Sequence, residues 1–484
     1  MREADALPRA GLGRRMLAGW NRADMLGATR RAALLAVLGR CINAGLVFLT
    51  QMLFARALGA EGFGAFTAAQ AWLLLLAAVA TLGISAVPQR FLPEYAQAGD
   101  GAAARGLVRF VLLVPLLAGA ALALLTLGVL HLLAGWLSPA VATTLSVTIL
   151  ALPAVALAST AEGVALARGW NDLAQVLSLV LRPLLVPVLF GVAWWAGFSP
   201  ASPVAAAAYA AAVWAAALLL VLGLLLRLCR PAPPAWPLDK AARRAARVLP
   251  PRYEARRWLA TALPVAATEG AFMLMTSTDV IILSALMGES AVGIYGAAAK
   301  LVALVAFIHG GLSLASGHHF SALARDSDPQ ALGRYAVRTA RWTFWPSLAT
   351  AVLVLLLASP VLRLLGEAYV AGVGVTALLL AGLLARAAVG PAEQLLIMND
   401  RQGLCARIHC AGFLANAVLT VPLVHAFGLP GAAAATALSY TLAALLLARA
   451  VARELGIALL PLPALLCPAA AGHARSASCT AAKA

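Results

Sequence analysis

"RALGAEGFGAF" (residues 56–66) stands between two apolar runs, and "ALMGESAVGIY" (285–295) stands between two more. A register shift of 229 residues takes Gly59 to Gly288, Gly64 to Gly293, Phe66 to Tyr295 and Ala68-Ala69 to Ala297-Ala298. The same shift takes Phe91 to Phe320, Arg105 to Arg334 and Arg109 to Arg338. At a slightly different shift, "EGVALARGWN" (162–171) parallels "EQLLIMNDRQ" (393–402), with Glu162 against Glu393. Matched aromatic and basic residues at one shift speak for duplication more strongly than matched Ala and Leu. Locally, the glycines supply the φ values and close approach that a tight helix–helix turn needs.

Composition says what kind of protein is duplicated. Hydrophobic residues are 63% of the 484 and charged residues 11%. A soluble domain is nearer half apolar and a quarter charged. Blocks of roughly 20 apolar residues, the length of a membrane span, fall at 32–55, 63–86, 107–134, 141–166, 173–197 and 204–227. A second set falls at 258–284, 291–316, 342–364, 371–397, 407–428 and 431–452. These are numbered spans 1 to 12 below. The expected fold is all-α and polytopic, with about twelve transmembrane helices.

The net charge of +17 lies mainly between spans. Arg90, Arg105, Arg109, Arg168, Arg325, Arg334, Arg338, Arg341, Arg401 and Arg407 all fall near alternate links. The opposite links hold little beyond Arg56 and Arg363. That is positive-inside asymmetry, with both termini cytoplasmic. It also removes nucleic acid as the explanation of the charge, because no basic stretch carries interleaved aromatics.

The chain then divides into a basic cytoplasmic N-terminal segment (1–31), an N-lobe of spans 1–6 (32–227), a Pro/Arg-rich cytoplasmic linker (228–257), a C-lobe of spans 7–12 (258–456) and a tail (457–484). The tail is too short and proline-rich for a thirteenth span, so an interfacial or disordered segment is expected. Six spans per repeat is an even number, so both halves start from the same side. The repeat is parallel, about an axis along the membrane normal, and leaves a cleft between two lobes.

Ionisable residues inside spans cost roughly 2.5–3.5 kcal/mol each on insertion scales. Arg40, Arg182, Lys300 and Arg386 are such residues and are the candidate substrate-binding groups; snorkelling or pairing with a carboxylate is the structural alternative for Arg182 and Lys300. Glu269 and Asp279 in span 7 are candidates for ion coupling or for an ion pair. Arg40 and Glu269 are equivalent under the repeat, and Arg40, Asn43, Thr50 and Gln51 share a helical stripe. The cleft is therefore expected to be polar and, in its middle, cationic, which suits an anionic diphosphate. His309 reads as a packing residue. Neither Cys405-His409-Cys410 nor His318-His319 has the spacing of a metal site, and no cofactor is implied. There is no P-loop, and "DSD" (326–328) has no nucleotide-binding fold around it. An enzyme is not expected.

"FARALGAEGFGAFTAAQAWLLLLAAVATLGISAVPQRFLPEYAQAGD" (54–100) resembles the first two spans of Wzx-type polysaccharide flippases, and "STDVIILSALMGESAVGIYGAAAKLVAL" (277–304) resembles their seventh and eighth. That family belongs to the multidrug/oligosaccharidyl-lipid/polysaccharide exporter superfamily. The lipid II flippase of that superfamily typically has two more C-terminal spans than the twelve counted here. The resemblance implies alternating-access transfer of undecaprenyl-diphosphate-linked oligosaccharide, an O-antigen or exopolysaccharide unit, from the cytoplasmic to the periplasmic leaflet of a bacterial inner membrane. The implied partners are that lipid-linked oligosaccharide, the lipid bilayer, and a polysaccharide polymerase with its chain-length machinery. The competing readings are a cation-coupled multidrug exporter of the same superfamily and a membrane-embedded sugar-polymer enzyme. The intramembrane cations argue against the first, and the short outer links against the second.

Overall fold

The computed structural model describes residues 12–132, 138–229, 250–325, 329–399 and 401–459, with side chains at 39, 42–132, 138–229, 250–307, 330–399 and 401–459. Among the described residues every regular element is helical. Eleven helices among the described residues are long and apolar enough to cross a membrane, the first being Ile42–Thr81, of 40 residues. At 1.5 Å per residue it would reach about 60 Å, twice a bilayer core of about 30 Å. It is broken at Gly59, whose φ of 69° and ψ of −179° are outside the helical range. The rings of Phe54 and Phe66 meet at 5.1 Å, whereas residues twelve apart on a straight helix are about 18 Å apart. The helix therefore folds back at Gly59 into spans 1 and 2. Gly288, with φ of 81°, turns span 7 (Ala255–Leu286) into span 8, which begins at Glu289. Both positions need the left-handed backbone that glycine adopts without penalty.

The remaining spans are Gly101–Leu132, Pro139–Ala167, Asn171–Trp195 and Ser202–Leu228 in the N-lobe, and Gln330–Leu365, Glu367–Ile397, Gln402–Phe427 and Leu429–Leu455 in the C-lobe. Three departures from the apolar pattern have local causes. Span 2 stops at Thr81, short of residue 86, because Leu82 (φ 49°) and Gly83 (φ 66°) turn the chain. A separate helix, Val87–Gln97, follows. Span 5 carries a π-helical segment, Val176–Leu181, just before Pro183, whose ring cannot sit against the carbonyl four residues back. Span 10 divides at Gly390-Pro391 into Gly372–Ala388 and Ala392–Ile397. The tail is described only to residue 459; Ile457 and Leu459 are buried against the C-lobe. Linker residues 230–249 lie outside the described residues.

The lobes meet where the opening motifs meet. A Cβ on Gly64 would lie 1.7 Å from the Glu289 carbonyl oxygen, and one on Gly293 would lie 2.0 Å from that of Ala60. The shift of 229 that takes 64 to 293 also takes 60 to 289, so these two contacts are copies of one another. A two-fold rotation relating parallel repeats requires that reciprocity. Small residues let two spans approach backbone to backbone. The same end is tied by Tyr369, whose hydroxyl donates to the Ala55 carbonyl at 2.9 Å, and by Arg56, which donates to the Leu364 carbonyl at 2.8 Å. The Ser138 hydroxyl bonds Glu289 there as well.

At the opposite, linker end, span 7 starts inside the N-lobe. Trp258 is fully buried there. Its indole N–H donates to the Tyr95 hydroxyl at 2.9 Å, which donates to Glu254 at 2.8 Å. Arg257 pairs with Glu94 at 2.5 Å, and Arg252 with Asp100 at 2.9 Å. Span 7 is thus clamped to one lobe at its start and built into the other lobe farther along.

Two outcomes follow from these contacts. Gly64→Ala should destabilise the protein by about 1–3 kcal/mol, because its Cβ meets backbone and cannot be repacked away. Gly128→Ala, with open space around it, should not; equal melting temperatures for the two variants in detergent would contradict the contact. The Glu254 carboxyl is held below its usual range by the Tyr95 hydrogen bond, opposed by desolvation and aided by Arg252 and Arg257. A lowered folded value means the added stability is present above the ordinary glutamate range and lost as pH falls through the lowered value. Melting curves of Glu254→Gln should accordingly show a loss at neutral pH that vanishes in acid.

Candidate functional site

Span 8 carries Lys300 twelve residues past Gly288, about 18 Å along the helix. Span 1 carries Gln51 eight residues before Gly59, about 12 Å along. Both are near mid-bilayer depth, and both line one small space with Phe48, Phe63, Ala297 and Val361. It joins spans 1 and 2 of one lobe to spans 8 and 9 of the other. Its free volume is about 10 Å³, room for a single water at most. Lys300 makes no hydrogen bond or ion pair with a described residue. The Gln51 side-chain oxygen is buried without a partner, as is that of Asn43 on the same helix. A buried acceptor without a donor is costly, and here it stands beside an ammonium with no counter-charge among the described residues. Their repeat equivalents, Ala71 and Val280, are apolar, so duplication alone does not account for them.

The other sequence-predicted residues are dispersed. Arg386 is bound within the C-lobe by Glu393 at 3.0 Å. It lies over the rings of Phe272 at 5.5 Å and Tyr440 at 6.0 Å. Glu393 also meets the His409 Nε2 at 3.1 Å. Arg182 follows the π-helical segment of span 5 and has no hydrogen bond or ion pair with a described residue. Asp279 is buried. One of its oxygens accepts from the Tyr295 hydroxyl and from Thr436 at 3.2 Å, the other from the Val280 N–H at 2.8 Å. Glu269 is exposed and has no partner among the described residues. The side chains of Arg40, His309, His318, His319 and Phe320 lie outside the described residues. Among the described residues no cluster of three His, Cys, Asp or Glu could hold a metal.

Sequence reasoning placed Lys300 and Gln51 in spans without pairing them, and it missed Tyr295 and His409. Tyr295 had a signal: it stands opposite Phe66 in the repeat, and the added hydroxyl is the group that holds Asp279. His409 had none, because its partner Glu393 is sixteen residues away across a chain reversal.

The model of a family described as polysaccharide biosynthesis protein matches residues 30–311. The chain belongs to that family. Among solved structures it is similar to an inward-facing multidrug resistance transporter of the MATE family and MOP superfamily, with 16% identity and a TM-score of 0.70 over 85% of this chain and 96% of that one. It is also similar to the lipid II flippase MurJ in an inward closed conformation, with 12% identity and a TM-score of 0.63 over 86% and 87%. A MOP superfamily transporter from Pyrococcus furiosus, described by a binding pocket of reversed polarity, aligns with 14% identity and a TM-score of 0.54 over 88% and 95%. No curated protein matches. These likenesses establish a multi-pass, two-lobe fold of the MOP transporter kind.

The Arg386–Glu393 pair is open to a direct check. Glu393→Ala strands a largely buried guanidinium and should cost about 3–5 kcal/mol, whereas the double change Arg386→Met with Glu393→Leu should cost less. A double variant that melts lower than Glu393→Ala would mean that the pair is not what Glu393 is there for.

Proposed function

We propose that this protein is a flippase for a lipid-linked oligosaccharide with an anionic diphosphate, moved between the leaflets of a bacterial inner membrane by alternating access. The observation that carries the reading is Lys300, an unpaired cation between the lobes beside an unpaired Gln51 oxygen. In the present state the lobes are shut at the Gly59/Gly288 end and the gap is too small for a substrate. Separating the lobes there, or at the linker end, would open it. Lys300 then finds in a diphosphate the counter-charge that the protein does not provide, and Gln51 can accept from a sugar hydroxyl. Arg40 and Arg182, on spans 1 and 5, extend the cationic path, and Arg386 joins it if the diphosphate displaces Glu393 from its guanidinium. A polymerase and chain-length machinery would act on the product.

Replacing Lys300 separates this role from a structural one. Lys300→Met removes a charge that nothing in the protein satisfies, so stability should hold or rise. Transport should fall, since a charge-assisted contact is worth about 1.5–3 kcal/mol. Lipid-linked sugar should accumulate on the cytoplasmic leaflet, and Lys300→Arg should restore part of the transport. A Lys300→Met protein that transports normally, or one that fails only because it unfolds, contradicts the proposal. The orientation is checked by single cysteines: positions 60 and 290 should label from the periplasm and position 245 should not.

Asp279 favours the second reading, a cation-coupled exporter. Its buried carboxylate, held by Tyr295 and Thr436, is a place where a proton or small cation could be exchanged. Under that reading Asp279→Asn abolishes export of a cationic dye while lipid-linked sugar distributes normally between leaflets.

A further inference from the structure

The arginines of the linker end differ in how they are neutralised. Arg227 pairs with Asp172, Arg252 with Asp100 and Glu254, Arg257 with Glu94 and Glu254, and Arg401 with Glu454. Arg334, Arg338 and Arg341 have no such partner among the described residues. They stand one per turn along the start of span 9, where residues four or three apart share a helical face. All three line a groove of about 860 Å³ with Trp342 and the apolar edge of Leu455 and Ile457. That volume is in the range of ligand sites.

The repeat shows what is unusual about this groove. Arg334 and Arg338 correspond to Arg105 and Arg109 at the start of span 3. There the chain after span 6 covers the helix: the Arg252 N–H donates to the Ala102 carbonyl at 3.1 Å, and the Arg252 carbonyl sits where a Cβ on Gly106 would be, 1.9 Å away. After span 12, Ile457 reaches Gly333, 3.6 Å from its would-be Cβ, and the arginine row stays exposed.

Depth identifies the ligand class. Trp342 and Trp345 are both 64% exposed and stand in the first turn of the apolar block that starts at residue 342. Exposed tryptophans at that position mark the membrane interface. Arg341, Arg338 and Arg334 then lie about 2, 6 and 12 Å before that block, from the edge of the hydrocarbon outward through lipid phosphate depth. We propose that this groove holds the phosphate headgroup of an anionic membrane phospholipid, its acyl chains running along the apolar side of span 9 past Trp342. The site is on the outer flank of one lobe and is independent of the substrate reading above.

The test uses the full-length protein in phosphatidylcholine nanodiscs, titrated with phosphatidylglycerol or cardiolipin and read by native mass spectrometry as lipid retained. Arg334→Gln with Arg338→Gln and Arg341→Gln should weaken retention at least tenfold, since each basic residue near a membrane surface contributes about fivefold. A charge-matched variant away from the groove, Arg90→Gln with Arg109→Gln and Arg256→Gln, removes the same number of charges but none of the groove's lining and should stay within about twofold if the groove, and not general surface charge, holds the lipid. Excess inorganic phosphate should displace nothing. Equal losses in both variants would reduce the groove to surface charge, and displacement by phosphate would make it a free-anion site; either overturns the proposal. Should the triple variant fail to insert, Arg338→Gln alone is read: about fivefold weaker retention supports the site, and unchanged retention overturns it.

Discussion

The close approach of Gly64 and Gly293 is the constraint on which the architecture turns. Two spans from different lobes can touch backbone to backbone only where neither has a side chain, and each glycine excludes even a methyl group. The contact lies on the axis that relates the repeats, so one mutation-sensitive point serves both lobes. Everything that faces the interlobe space, Lys300 and Gln51 included, is positioned by its distance along spans 1 and 8 from the turns at Gly59 and Gly288. The clamp at the other end has different chemistry. Trp258, Tyr95 and Glu254 join the lobes through polar groups and ion pairs, which can be exchanged for water at lower cost than a buried backbone contact.

The repeat is most informative where it fails. Phe66 and Tyr295 occupy equivalent places, but only the tyrosine has a hydroxyl, and that hydroxyl holds Asp279. Ala71 and Lys300 are equivalent, as are Gln51 and Val280, and the polar member of each pair faces the same small gap. Duplication supplied a symmetric scaffold; the polar residues that break the symmetry are the ones whose cost the scaffold does not explain. The likeness to multidrug transporters and to a lipid II flippase sits well with this, since one two-lobe frame is compatible with more than one set of interior charges.

Much of this was legible in the sequence for simple physical reasons. A bilayer sets span length, so the apolar blocks located most spans to within several residues; span 9 starts at Gln330, twelve residues before its block, because its first turns are basic. Glycine at a helix turn predicted the folds at Gly59 and Gly288. The bends at Leu82-Gly83 and Gly390-Pro391 were less visible, because an apolar run continues through a bend. Pairings were the least legible. Arg386 read as a substrate-binding candidate, yet Glu393 lies seven residues on, reached only because span 10 breaks at Pro391. Lys300 remained what its sequence position implied, a charge in a span, but its neighbour Gln51 belongs to the other lobe and no local pattern connects them.

Accessibility of position 51 from the two sides of the membrane tests the central claim most directly. A single Gln51→Cys in an otherwise cysteine-free protein would be probed with a membrane-impermeant thiol reagent, from each side, with and without the lipid-linked substrate. Alternating access predicts that the cysteine labels from one side without substrate and from the opposite side when substrate drives the lobes over, with little labelling while the gap is closed as seen here. Labelling from one and the same side under every condition, with transport intact, would contradict it.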